Sequence, residues 1–141
     1  MRSIVLKSIK EHLQGKMQGY KHLDNVINPN NVKSSDFPFI SYIPTNAKIN
    51  YEMYNKEIYK SNWELVIYIG IFSTGKDNAV IKLIDTISEI ITNINQFDYS
   101  DINGVEDIKV SSCVTDKGIF HPYYYAEVVL DIKELINNND N

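Results

Sequence analysis

The stretch that decides the fold is Trp63-Glu64-Leu65-Val66-Ile67-Tyr68-Ile69-Gly70-Ile71, followed by Phe72-Ser73-Thr74-Gly75-Lys76-Asp77-Asn78 and then by Ala79 to Ile94. In the first part Trp63, Leu65, Ile67, Ile69 and Ile71 hold every second position. A strand sends alternate side chains to opposite faces, so these five line one face of a sheet. The polar run around Gly75 ends the alternation. Beyond it Val80, Leu83, Ile84, Ile87, Ile90, Ile91 and Ile94 recur at spacings of three and four. That period predicts an amphipathic helix over about 77–95, with Asp77 as its N-cap. Strand and helix carry the two largest apolar surfaces of the chain and are expected to pack on each other.

Toward the N-terminus, Ile49, Tyr51, Met53 and Ile58 alternate weakly and predict a second strand over 47–59. Its turn into the central strand falls at Asn55-Lys56 or at Lys60-Ser61-Asn62. Phe37-Pro38-Phe39-Ile40-Ser41-Tyr42-Ile43 predicts a further strand closed by Pro44, with Pro38 at the strand start or on an edge because it has no N–H to donate. Residues 20–36 carry two turn signals, Asn28-Pro29-Asn30-Asn31 and Ser34-Ser35-Asp36, and are expected to be irregular. Val5, Ile9 and Leu13 predict a short N-terminal helix over about 3–14, with Ser3 as N-cap and Gly15 ending it.

Toward the C-terminus, Asn103-Gly104 signals a turn. Ile108, Val110, Ser112 and Val114 alternate on one strand face. Asp116-Lys117-Gly118 turns the chain again. Tyr123 to Lys133 is the last strand, with Tyr124, Ala126, Val128, Leu130 and Ile132 inward and Tyr125, Glu127, Val129 and Asp131 outward. Strands in runs joined by short turns give an α+β class with a mostly antiparallel sheet and the long helix on one face. The expectation is one domain over 1–136, with 137–141 a frayed polar tail.

Composition narrows the function classes. The chain has 141 residues, 43% of them apolar, and a net charge of −4. It is large enough for its own core, and a dedicated nucleic-acid binder would show a basic excess instead. Cys113 is the only cysteine, so no intrachain disulfide forms. The apolar run at Ile4-Val5-Leu6 is too short for a secretory signal, and none approaches the roughly 20 residues of a membrane span. The charge is polarised. Arg2, Lys7, Lys10, Lys16 and Lys21 face only Glu11 in residues 1–22, while Asp85, Glu89, Asp98, Asp101, Glu106 and Asp107 stand without Lys or Arg in residues 85–107. Opposite poles can steer head-to-tail contact between identical subunits.

Candidate chemistry is sparse. Gly70 to Asp77 follows a strand, opens a helix, and matches the phosphate-binding loop through Gly-Lys. At the next position that loop needs a Ser or Thr hydroxyl for Mg²⁺, and Asp77 stands there. His12, His22 and His121 have no Cys or carboxylate at metal-ligand spacing. Nothing beside Cys113 in sequence lowers its pKa. Asp85 and Glu89 lie on the polar side of the helix, where solvated charge is the default. No catalytic residue, cofactor or metal is expected. Tyr123-Tyr124-Tyr125 is the most unusual cluster. Outward tyrosines near a sheet edge suit a subunit interface, and base stacking is the competing idea, without the interleaved Lys and Arg it would need.

In element order the chain resembles the tail terminator and tail completion proteins of tailed bacteriophages, a family also found in phage-tail-like bacteriocins. The resemblance rests on the helix at Ile4–Leu13, the strand entry Phe37-Pro38-Phe39-Ile40, the strand Trp63–Ile71, the helix Ala79–Ile94 and the closing strand Tyr124-Tyr125-Ala126-Glu127-Val128-Val129-Leu130. It implies a non-enzymatic virion protein, assembled in the bacterial cytoplasm. Such a protein forms a ring, usually a hexamer, that caps the tail tube and stops its growth. The implied partners are other copies of the chain, the tube protein, a neck or connector protein and, in a contractile tail, the sheath. DNA would pass through the lumen without specific binding, and no membrane is involved. A head–tail connector or neck adaptor is the alternative, and a nucleotide-binding module using Gly70–Asp77 is the third reading. For subunit contacts the candidate residues are Arg2, Lys7, Lys10, Tyr51, Tyr54, Asp98, Asp101, Tyr123 and Tyr125.

Overall fold

The computed structural model describes residues 1–26, 28–51 and 56–138. The elements are α1 (Ser3–Lys16), β1 (Lys21–Asp24), β2 (Phe39–Tyr51), β3 (Ile58–Phe72), α2 (Lys76–Asn95), β4 (Val105–Thr115) and β5 (Tyr123–Asn137), with single 3₁₀ turns at Pro29–Asn31 and Ser34–Asp36. The class is α+β, with a five-stranded sheet in the order β1-β2-β3-β5-β4. Only β1 and β2 run parallel, and the other neighbours are antiparallel. Among the described residues no helix is long and apolar enough to cross a membrane.

The period-two pattern of β3 does what it predicts. Trp63, Leu65, Ile67, Ile69 and Ile71 are all buried, and across the ladder Tyr124, Ala126, Val128, Leu130 and Ile132 of β5 join them. Both helices lie over this inner face. Val5, Ile9 and Leu13 of α1 and Leu83, Ile87, Ile90 and Ile94 of α2 complete one core. The opposite, outer face carries no helix among the described residues.

Several expectations change. The segment 20–36 contains a strand, β1, which pairs Lys21–Asp24 with Phe39–Tyr42. Pro44 does not close β2. Beyond Tyr42 that strand has no neighbour on its outer side among the described residues, so a residue without an N–H fits there. The two expected strands are one, with a register shift between Thr45 and Ala47. Lys56 and Glu57 form a turn just before β3, while Lys60-Ser61-Asn62 sits inside β3. Met53, Tyr54 and Asn55 lie outside the described residues.

At the helix ends, Arg2 and not Ser3 precedes α1, which continues through Gly15 to Lys16 and is closed by Met17 N–H on the Leu13 carbonyl at 2.8 Å. Gly75 precedes α2, so Asp77 lies in the first turn and not at the cap. In β4 a register shift between Val110 and Ser112 swaps faces. Ile108 and Val110 pair with Ile132 and Leu130 of the core, whereas Ser112 and Val114 pair with outward Val129 and Glu127. One extra residue in a strand reverses the alternation after it. β5 runs to Asn137, which pairs with Ile58, and the Asn138 N–H reaches the Glu57 carbonyl. The frayed tail therefore does not begin at 137, and residues 139–141 lie outside the described part.

Candidate interaction surfaces

The expected contact residues divide sharply once placed. Arg2 is not a free cation. Its Nε donates to Glu134 Oε1 at 2.6 Å and its Nη2 to the Asn103 carbonyl at 2.6 Å. Glu134 is fully buried, and its Oε2 accepts the Trp63 indole N–H at 2.7 Å and lies 3.3 Å from the Met1 ammonium. A buried carboxylate holds its charge only with such company. Sequence reasoning missed Glu134. The available signal was its parity, since Ile132, Glu134 and Ile136 share the inward side of β5.

Lys10 pairs with Asp24 and Lys21 with Asp36. Lys7 is exposed. Tyr51 is exposed, with its ring 6.0 Å from Tyr59, and Tyr54 lies outside the described residues. Asp98 and Asp101 are exposed in the segment after α2. The Ser100 N–H donates to Asp98 Oδ1 at 3.0 Å and holds that carboxyl below its ordinary range. Tyr123 is half-buried between Phe37 and Phe72. Tyr125 is buried, contrary to its expected outward exposure. It does point to the outer face, but that face has its own aromatic cover. Phe37, between the second 3₁₀ turn and β2, and Phe120, from the β4–β5 turn, both lie against it.

Gly70 is part of this cover. It is paired with Phe39 on one side and Tyr125 on the other, and a Cβ added there would sit 2.1 Å from Phe39 Cε1. The missing side chain gives room to a buried ring. Gly70 is thus a mid-strand residue, not the first glycine of a phosphate cradle. Next to it, Tyr68 and Tyr125 stack with ring planes 7° apart and centroids at 5.7 Å. Burial, with Tyr125, Glu127 and Asp116 nearby, pushes the Tyr68 hydroxyl up to about 12. Burial also raises the Tyr125 hydroxyl, with Tyr123 and Asp116 adding to it.

A cavity of about 150 Å³ opens here, lined by Tyr68, Val114, Thr115, Asp116, Phe120, Tyr125, Ala126 and Glu127. Asp116 Oδ1 accepts the Gly118 N–H at 2.9 Å, while its Oδ2 is buried without a hydrogen-bond partner. The other half of the outer face is charged and open. A trough of about 430 Å³ there mixes Lys48, Lys109 and Lys133 with Glu64 and Asp131.

The histidines are tied into the fold. His12 Nε2 donates to the Asn93 carbonyl at 2.8 Å and so links α1 to α2. His22 Nε2 donates to the Met17 carbonyl at 2.9 Å, and its Nδ1 meets the Tyr42 hydroxyl at 2.8 Å. His121 Nδ1 meets the Tyr124 hydroxyl. Among the described residues no group of three or more His, Cys, Asp or Glu could hold a metal ion. Cys113 is exposed, although its partner Val128 places it on the helix-covered side. That corner is therefore uncovered by α2.

Among the described residues, large apolar side chains are left exposed at the end where β3 leaves the sheet and β5 enters, and also at Met1, Ile4, Ile49, Tyr51 and Leu135. Phe72, Val80, Ile81 and Ile84 of the β3–α2 passage are 41–58% exposed, and Val114, Ile119 and Phe120 of the β4–β5 passage 56–74%. No protein-family model matches the chain, and no curated protein matches it in sequence.

Proposed function

We propose that the protein is a structural subunit that acts by assembly, a tail terminator whose ring caps a phage tail tube and offers a surface for joining the neck. The observation that carries this reading is the concentration of exposed apolar side chains at one end of the subunit. Isolated exposed apolar residues are ordinary, but several at one end, Ile81 and Ile84 on the helix side of the sheet and Val114 and Phe120 on its outer side, suit a protein–protein contact there. That end is formed by the first half of α2, the ends of β3 and β4, and the β4–β5 turn. The element order that resembles tail terminators supports the identity of the assembly.

Native mass spectrometry and light scattering test the assembly step. A closed oligomer is expected, and Ile84→Asp should dissolve it while circular dichroism stays unchanged. Electron microscopy with purified tail tubes tests the capping step. Protein bound at tube ends, and shorter tubes when it is added during polymerisation, are expected. A chain that stays monomeric both alone and with tubes would remove this reading. An oligomer that binds connector rings and ignores tubes would turn it into the neck-adaptor reading.

A further inference from the structure

We propose that neighbouring copies of the chain join edge to edge, with β4 of one copy continuing the sheet beside the second half of β2 of the next, and with Asp107 of the first opposite Lys48 of the second. The inference rests on the reading that the chain assembles with itself. It gives that assembly a second contact besides the apolar end.

Among the described residues the sheet ends in bare strand on both sides. β4 has no neighbour beyond it, and β1 covers the β2 edge only as far as Tyr42. A bare edge offers a row of N–H and C=O groups to another strand. Following the ladders across the sheet puts the two edges in register. Lys48 pairs with Asn62, Asn62 with Lys133, and Lys133 with Asp107. Lys48 and Asp107 therefore end one row, on the outer face, and neither makes an ion pair among the described residues. The adjacent row, on the helix-covered face, runs from Ala47 through Trp63 and Ile132 to Ile108. A second copy that continues the sheet at the same level sets Lys48 against Asp107 and Ala47 against Ile108. Opposite charges then meet on one face and apolar groups on the other, and such cross-strand pairs favour one register. The direction agrees as well. β4 runs against β5, and β5 runs with β2, so the added strand is antiparallel.

The irregularity of β4 falls where this arrangement needs it. The row of Cys113 ends on the other side at Tyr42, which β1 already pairs. A straight β4 would run into the neighbour's β1 there. β4 shifts register between Val110 and Ser112, just before that row, and a bulge bends a strand. Because the joined edges differ, the contact is heterologous and can repeat from copy to copy.

The test uses the full chain with its only cysteine replaced, Cys113→Ser, and two single-cysteine variants of it, Lys48→Cys and Asp107→Cys. Residues directly opposite on antiparallel strands lie about 4.5–5.5 Å apart, within disulfide reach. Mixed in equal amounts under mild oxidation, the two variants should give a covalent heterodimer on a non-reducing gel. Each variant alone, and Lys48→Cys mixed with Lys16→Cys, should give far less. In the unmodified chain, Lys48→Glu and Asp107→Lys should each weaken association about two- to fivefold in sedimentation velocity, as like charges placed opposite do, and the double variant should recover it. An oligomer whose mixture crosslinks no faster than the controls, a variant that crosslinks mainly with itself, or a double variant weaker than either single one would overturn the edge joint and leave the assembly reading standing. A chain that stays monomeric both alone and with tubes would remove both.

Discussion

Gly70 shows how one residue carries two readings until its neighbours are known. In sequence it is both the first glycine of a near phosphate loop and one step in a strand. The pairing with Phe39 and Tyr125 decides between them. Phe39 is fully buried, so its ring cannot yield to a new methyl. Gly70→Ala should therefore destabilise the chain by about 1–3 kcal/mol, the usual cost of overpacking. Chemical denaturation would register it as a lower midpoint with unchanged slope, and Phe39→Leu in the same chain should recover part of the loss. Tyr42 and Tyr68 make a second residue-level prediction. Burial raises both hydroxyls above the ordinary value of 10. Above pH 10 the unfolded chain releases these protons while the folded chain keeps them, so the stabilisation is full below pH 10 and drains as pH rises further. Thermal melts from pH 9 to 12 should show a falling Tm, with a shallower fall in Tyr42→Phe and Tyr68→Phe. The Arg2–Glu134 pair was illegible in sequence because 132 residues separate the partners. Only the fold brings the start of α1 over the end of β5.

At the scale of elements, the strand–helix core was readable because its periods are long and clean. Where the reading failed, a neighbour from elsewhere in the chain intervened. In α2 the expected stripe included Val80 and Ile84, yet both are exposed while Thr86 and Asn93 are buried. The helix is rotated toward α1, where the Tyr20 hydroxyl meets Thr86 Oγ1 at 2.6 Å and His12 meets the Asn93 carbonyl. Thr86 Oγ1 also donates to the Lys82 carbonyl at 2.8 Å, so its burial is satisfied, and no helical period encodes the Tyr20 and His12 contacts. β1 is four residues long and exists only against β2, so local pattern could not announce it. The bulge in β4 is likewise a tertiary event. The rotation of α2 predicts a contrast between two isoleucines three residues apart. Ile87→Ala should cost about 2–5 kcal/mol, as core truncations do. Ile84→Ala should leave the stability of the separated chain within about ±0.5 kcal/mol. Denaturation of both variants below the assembly concentration would check the pair, and equal losses would mean that the helix sits in the phase read from sequence.

For the whole molecule, the two charge poles look different in space than in sequence. Of the five cations in residues 1–22, Arg2, Lys10 and Lys21 are already neutralised by Glu134, Asp24 and Asp36 within the subunit. The remaining two, Lys7 and Lys16, are nine positions apart on α1, about half a turn at roughly 100° per residue, so they point to opposite sides. The acidic segment keeps its charge, with Asp98, Asp101 and Glu106 exposed. One pole thus survives and its complement does not, which removes the electrostatic case for head-to-tail pairing. The apolar end of the molecule is then the stronger candidate to drive subunit association, and salt should separate the two drives. Exposed charge pairs are screened within about 3 Å at 1 M salt, while apolar burial is not weakened by it. Assembly should therefore persist, or strengthen, from 0.05 to about 1 M sodium chloride, measured by sedimentation velocity at fixed protein concentration. Lys7→Glu and Lys16→Glu should leave the distribution unchanged, whereas Ile84→Asp should shift it to the monomer. Dissociation by salt together with sensitivity to the lysine variants would return the joint to the charge poles and take it away from α2.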